Sequence, residues 1–350
     1  MIAINSKAFA FFGTYTNTKS QGIGRIEIDI GNGAAGDLQT AAQVENPSFL
    51  TAASPNHLLS CVESEYFQGE LGGGVISFRI ETDGSLTSIC AENTRGTYPC
   101  HVCVGEKNRT VFISNYGSGS FSIFKMDIDG KLFFVKTICH EIQGVNGTQQ
   151  SPHAHCCMLT KDEQTLYVCD MGIDRVMVYD LSKGVEFTAL KTEFVFPVSS
   201  GPRHMVFSSD ECLLYVVCEL SNEVVVLSVE NGEILQKHTI VPKNTQGFAA
   251  ASAIYLCKNA NLLAVSVRGV DSIQFFIVRE NGLLDKSAVL QLKGKYPRDM
   301  YLSPDGARLL VAYEKSDYAE LLQLDPFLNC TVLSRIEIPA PTRVCLVTKS

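Results

Sequence analysis

One kind of segment returns along this chain at a nearly fixed interval, and that periodicity constrains the fold more than any other feature. His155-Cys-Cys-Met-Leu-Thr-Lys-Asp-Glu-Gln-Thr-Leu-Tyr-Val-Cys-Asp170, Arg203-His-Met-Val-Phe-Ser-Ser-Asp-Glu-Cys-Leu-Leu-Tyr-Val-Val-Cys218 and Arg298-Asp-Met-Tyr-Leu-Ser-Pro-Asp-Gly-Ala-Arg-Leu-Leu-Val-Ala-Tyr313 all carry it. Each is a short apolar strand, a polar turn and a second apolar strand. A third strand follows, as in Arg175-Val-Met-Val-Tyr179 and Glu223-Val-Val-Val-Leu227. Apolar, often β-branched runs separated by turn residues build antiparallel meanders. Copies on one frame start at Ser48, His101, His155, Arg203, Ser252, Arg298 and Thr342, 44 to 54 residues apart. That spacing suits the four-stranded blades of β-propellers, roughly 40–50 residues each. Helical repeats of similar length would space apolar residues by three and four, which these segments do not.

The seventh copy has only eight residues after Thr342. Phe9-Ala-Phe-Phe-Gly-Thr-Tyr15 and Gly24-Arg-Ile-Glu-Ile-Asp29 read as strands that supply its missing part. A blade shared by both chain ends closes the ring and leaves no open sheet edge. The expectation is therefore an all-β, seven-bladed β-propeller of four-stranded antiparallel blades, one domain over residues 1–350. The chain has no Trp, so the Trp-Asp signature of the commonest propeller repeat is missing.

The net charge of −8 opposes a general affinity for nucleic acid, which needs clustered Lys and Arg. No apolar run approaches the ~20 residues that span a bilayer, and no secretory signal pattern stands at the N-terminus. A cytoplasmic protein is expected, as monomer or dimer, with no nucleic-acid or membrane partner. Its 13 cysteines then read as reduced thiols acting as small apolar residues. Cys100-His-Val-Cys103 has metal-like spacing but no second pair at a zinc-ribbon distance, and adjacent Cys156 and Cys157 point to opposite faces of a strand. Packing is expected of both clusters.

Function in a propeller tends to gather where the innermost strands begin, at the central channel. The seven frame starts hold two Arg and two His in an otherwise acidic protein. A second ring falls fifteen or sixteen residues later, at Glu63, Tyr116, Asp170, Glu219, Arg268 and Glu314. A concave site mixing Arg, His and Glu can bind an anion and move protons. Each member also has a structural reading: Arg298 can pair with Asp299 or Glu314, His101 can be a hydrogen-bonded structural residue, and His153 with His155 lacks a third metal ligand. Arg203 and Arg268 are harder to assign to structure, because an unpaired charge on an apolar strand is costly. Glu219 lies on the same blade as Arg203.

At these residues the sequence resembles the lactonase propeller family, which includes bacterial 6-phosphogluconolactonases and fungal carboxy-cis,cis-muconate cyclases. The resembling segments are Gly13-Thr-Tyr-Thr, Asn115-Tyr-Gly-Ser-Gly-Ser, Ser151-Pro-His-Ala-His, Tyr167-Val-Cys-Asp-Met-Gly-Ile-Asp-Arg-Val, Gly201-Pro-Arg-His-Met-Val-Phe, Glu219-Leu-Ser-Asn-Glu-Val and Tyr296-Pro-Arg-Asp-Met-Tyr-Leu-Ser-Pro-Asp-Gly. They span nearly the whole chain. The resemblance implies a catalytic group of one His, two Arg and one Glu, which fall here on His155, Arg203, Glu219 and Arg268. His153, His101, Arg298, Asp170 and Glu63 are expected to bind substrate. The fifth copy departs from the pattern: Ala250-Ala-Ser-Ala-Ile has no Pro or charge at the strand start, and Arg268 precedes Gly-Val-Asp.

The expected activity is hydrolysis of a small anionic sugar lactone, foremost 6-phosphogluconolactone in carbohydrate metabolism, without metal or organic cofactor. Arg203 and Arg268 would hold the anion and the oxyanion, with Glu219 or His155 as base. Lactonisation of a muconate-type diacid would use the same pocket. A non-catalytic binding platform is the reading from a different class, since this architecture hosts many functions.

Overall fold

A computed structural model describes residues 7–141, 151–242 and 245–348. Seven antiparallel sheets follow one another around an axis. Six are sequential meanders, covering 50–93, 99–139, 154–195, 202–239, 250–291 and 297–337, here blades 1 to 6. The seventh combines the C-terminal strand Pro341–Thr348 with the N-terminal strands Lys7–Thr14, Gly22–Asp29 and Gln39–Gln43. Pro341–Thr348 lies innermost and pairs antiparallel with Lys7–Thr14, matching Ala8 with Thr348 and Phe12 with Val344. The shared closing blade expected from the repeat count is thus present. Two single-turn 3-10 helices are the helical elements among the described residues, and none is long and apolar enough to cross a membrane.

The pattern of burial explains why the repeat reads as it does. The second strands, Thr110–Asn115, Leu213–Cys218 and Leu262–Arg268, are buried along their whole length, because neighbouring blades cover both faces. They therefore appear as continuous apolar runs rather than alternating ones. The outermost strand Ala189–Val195 is exposed at every position but Phe194. Apolar clusters lie between blades: Tyr167 and Val178 of blade 3 pack with Met205, Val216 and Val225 of blade 4. The closing blade is gripped from both sides, Ala10 and Phe12 packing with Leu310 and Ala312 of blade 6, and Phe9 and Phe11 with Leu58 and Phe78 of blade 1. Cys156 joins the cluster toward blade 4 and Cys157 the one toward blade 2, as expected for neighbours on one strand.

The innermost strands share a local irregularity that positions the site. In blades 2, 3, 4 and 6 the register shifts at the strand start, between Pro99 and His101, Ala154 and Cys156, Pro202 and His204, and Pro297 and Asp299. A bulge opposes two residues to one, twists the strand and re-aims a side chain. Blades 5 and 7 shift at the corresponding places. The residue two before the strand start at the channel is left-handed in several blades: Asn46, Tyr98, Gly201, Tyr296 and Ala340 have φ between 38° and 62°. Gly201 adopts this freely, whereas Tyr98, Tyr296 and Ala340 carry a cost of order 1 kcal/mol each.

Candidate active site

Backbone hydrogen bonds fix which residues are equivalent around the channel. The amides of Glu63, Tyr116, Met171, Glu219, Glu314 and Tyr15 bond to the carbonyls of Asn46, Tyr98, His153, Gly201, Tyr296 and Ala340. The strand starts two residues beyond those carbonyls are Ser48, Cys100, His155, Arg203, Arg298 and Thr342. Three expectations are corrected by this register. Cys100, not His101, occupies the first ring in blade 2, and Met171, not Asp170, occupies the second ring in blade 3. Arg268 pairs with Ala250 as Asp170 pairs with Ala154, one residue before the ring position, and meets Glu219 through its side chain. A further member of the second ring, Tyr15, comes from the N-terminal strand of the closing blade.

Arg203, Glu219 and Arg268 meet at one atom. The Arg203 Nε and the Arg268 Nη2 each lie 2.7 Å from Glu219 Oε2. Arg203 also donates from Nη1 to the Ser252 carbonyl at 3.0 Å. Burial lowers the Arg203 pKa to about 10, with Arg268 and Arg298 adding to it and Glu219 opposing, so the guanidinium stays charged at neutral pH. Burial pushes the Glu219 carboxyl up, but Arg203 and Arg268 outweigh it and hold it below the usual carboxylate range. Two cations around one anion leave a net positive triad on a wall formed by blades 4 and 5.

A second cluster lies on the blades that close the ring. Arg298 donates from Nη1 to Glu314 Oε2 at 2.8 Å and from Nη2 to the Tyr15 hydroxyl at 2.7 Å. The Tyr15 hydroxyl donates in turn to Glu63, 3.3 Å from each carboxylate oxygen. Between the clusters, an axial cavity of about 20 Å³ is lined by Ser48, Glu63, Cys100, His155, Arg203 and Arg298, together with Asp299 and Arg343. It has room for about one water molecule.

His155 is 8 % exposed, and its Nδ1 has no hydrogen-bond partner among the described residues. Burial, with Arg203 and Arg298 nearby, holds its pKa well below the usual histidine value, so the imidazole is neutral. Its ring meets the His204 ring edge-on at 5.0 Å. His204 escaped the sequence frame: the bulge turns it toward the cavity beside Arg203, and only the bulge places two consecutive residues there.

The remaining expected residues are placed differently. His101 sits one residue deeper, its ring 4.2 Å from that of Phe49 and its Nδ1 3.4 Å from the Cys157 amide, outside the cavity lining. His153 stacks on Tyr116 at 4.4 Å and bonds from Nδ1 to the Tyr116 carbonyl, also outside the lining. Asp170 is fully buried: Oδ2 lies 2.6 Å from His140 Nδ1, and Oδ1 accepts from the amides of His153, Gly172 and Ile173. It shapes the turn beneath the site and is not free to meet a ligand. Arg298 and Glu63 both line the cavity.

Residues 9–348 match the family described as lactonase, seven-bladed β-propeller. The chain is 30% identical over 348 residues to the 6-phosphogluconolactonase of Bacillus subtilis, covering 97% of this chain and 98% of that one. Among solved structures, it is similar to the periplasmic gluconolactonase of Pseudomonas aeruginosa, with a TM-score of 0.88, 29% identity, and 99% and 100% of the two chains covered. A Lactobacillus plantarum protein follows with a TM-score of 0.86 and 27% identity, covering 97% and 98%. The seven-bladed ring and the matched residues together establish that this chain belongs to the lactonase family of β-propellers.

Proposed function

We propose that this protein hydrolyses a small anionic sugar lactone, with 6-phosphogluconolactone the best-fitting substrate. The observation that carries the reading is the convergence of Arg203 and Arg268 on Glu219, with Arg203 lining a water-sized axial cavity. Glu219 holds two guanidiniums side by side, a planar, multidentate arrangement that suits phosphate, carboxylate or a developing oxyanion. A lactone ring is too large for the cavity and would lie over it. Its carbonyl would then face the guanidiniums while a water attacks from the cavity, so charge develops where positive groups already stand. Neutral His155 lines the same space and shapes it without adding charge. The relatives named for phosphorylated and unphosphorylated gluconolactones support a sugar lactone, and the two differ in the anionic group.

A cytoplasmic setting fits this reading, since all 13 cysteines are free thiols. The test is direct. Purified protein should open 6-phosphogluconolactone faster than the spontaneous rate, and Arg203→Ala and Glu219→Gln should remove most of kcat/KM while the circular dichroism spectrum is kept. Unchanged rates in both variants, or turnover of a muconate alone, would reject the assignment.

A further inference from the structure

We propose that Glu63 takes the proton from the attacking water, and that Tyr15 is its positioning residue. The inference rests on the lactone-hydrolase reading and departs from the expectation that Glu219 or His155 is the base. Several groups near the cavity could accept a proton; Asp299 is engaged by Arg343 and the Val344 amide and His204 lies against the Arg203 guanidinium, which leaves Glu219, His155 and Glu63 to be separated by their surroundings.

Glu219 is the weakest candidate. Its Oε2 already lies 2.7 Å from a nitrogen of each of two guanidiniums, which hold it ionised, and it is not part of the cavity lining. A carboxylate so stabilised gains little by binding a proton. His155 faces the cavity, but an imidazolium formed there would be buried near Arg203, Arg298 and Arg268. Proton uptake would add a fourth cation to a crowded wall.

Glu63 has the opposite environment. It lines the cavity from blade 1, and the Tyr15 hydroxyl contacts it at 3.3 Å from each oxygen, a long, shared hydrogen bond that leaves lone pairs for a water. Burial raises its pKa above the usual glutamate value, with Arg298 opposing. A base in a buried site works best when its conjugate acid is neutral, and protonated Glu63 is neutral. Two carboxylates whose surroundings drive their affinities apart are the usual mark of divided roles.

The geometry of Tyr15 follows from the closure of the ring. Arg298 is anchored by Glu314 and donates to the Tyr15 hydroxyl oxygen, so the single phenolic hydrogen is directed at Glu63. That hydrogen steadies the carboxylate and favours its ionised form. The titratable and charged groups facing Glu63 are Tyr15 from blade 7, Arg298 and Glu314 from blade 6, Cys100 from blade 2 and Cys61 from its own strand. Burial pushes both thiols up, so they remain neutral in the working range.

The step balances. The water oxygen bonds to the carbonyl carbon as one of its protons passes to the Glu63 carboxylate, and the carbonyl π pair moves to oxygen beside the guanidiniums. On collapse that pair re-forms the carbonyl, the bond from carbon to ring oxygen breaks, and Glu63 returns the proton to the ring oxygen. The products are a hydroxy acid and the unprotonated carboxylate of Glu63. The new carboxylic acid then ionises to solvent.

The experiment is the pH dependence of kcat/KM for the full-length protein on 6-phosphogluconolactone and on gluconolactone, with Glu63→Gln, Glu63→Asp, Tyr15→Phe and His155→Asn. In the wild type the rate should fall on the acid side, at a pH above the usual carboxylate range. Glu63→Gln should lose about 10²–10⁴-fold and the acid limb with it. Glu63→Asp should keep the limb at a reduced rate. Tyr15→Phe should move the limb to higher pH, because the donor to the ionised carboxylate is gone, a displacement that a purely structural role would not produce. His155→Asn should keep the limb where it was. A wild type that opens neither lactone overturns the lactone reading and this inference together. An active wild type whose Glu63→Gln variant keeps its rate and limb overturns the Glu63 assignment alone. If Glu63→Gln fails to fold, an unmoved limb in Tyr15→Phe overturns it instead.

Discussion

Arg298 and Tyr15 are 283 positions apart in sequence, and the Arg298 Nη2 lies 2.7 Å from the Tyr15 hydroxyl. The contact joins blade 6 to the N-terminal strand of the blade that closes the ring, and it belongs to a chain running from Glu314 to Glu63. Replacing Arg298 by Met would leave the Glu314 and Glu63 carboxylates without their cation. Removing one partner of a largely buried pair costs about 3 kcal/mol. Urea unfolding of Arg298→Met should show a loss of that order, and an unchanged midpoint would mean that this chain of contacts does not stabilise the closure.

Arg268 tests whether charge or shape matters at the guanidinium pair. Arg268→Lys keeps the positive charge but loses the planar fork that meets Glu219 Oε2. A fall in kcat/KM of about 10-fold or more is expected if orientation is what the triad provides. Because Arg268 acts through Glu219, the double variant Arg268→Lys/Glu219→Gln should fall well short of the product of the single effects. Multiplicative losses would mean that the two residues act independently.

Acid should destabilise the fold through its buried histidines. Burial, reinforced by Arg343 and Arg203, holds the His101 pKa down at about 3, against roughly 6.5 in an unfolded chain. Between those values the unfolded chain binds a proton that the native protein does not. Stability is therefore retained above about pH 6.5 and declines as pH falls toward 3, by up to about 1.4 kcal/mol per pH unit for this residue. His155 and His204 shift in the same direction and add to the slope. Urea midpoints at pH 7, 6 and 5 should fall in that order, and His101→Asn should flatten the series.

The thiols offer a check on packing. Cys139, Cys212 and Cys330 are exposed, and the other cysteines are buried or half-buried. A thiol reagent should modify three groups quickly in the native protein and all thirteen after denaturation. A native count well above three would mean that blades open readily.

Much of this architecture was legible in the residues, for a physical reason. Strands covered on both faces must be apolar throughout, so Leu213–Cys218 and its counterparts announce themselves, and their spacing sets the number of blades. Arg203, Glu219 and Arg268 stood out because charge on such strands needs a partner. The bulge was not legible. It inserts a residue without any composition of its own, and a separate one-residue offset in the count put His101 where Cys100 stands and Asp170 where Met171 stands. The bulge itself hid His204. Tyr15 was within a quoted motif, Gly13-Thr-Tyr-Thr, yet its role needs the contact with Arg298, which no local pattern carries.

The pairing of Ala8 with Thr348 makes the two chain ends neighbours, at the far end of the strand from Tyr15 and the site. A short peptide could join them, and new ends could then be opened at an outer turn elsewhere, such as the one between Ile80 and Leu86. Such a permuted protein would keep every wall residue of the channel while turning the shared blade into an ordinary meander. The stitch that now depends on two distant segments finding each other would become a hairpin formed within one stretch of chain.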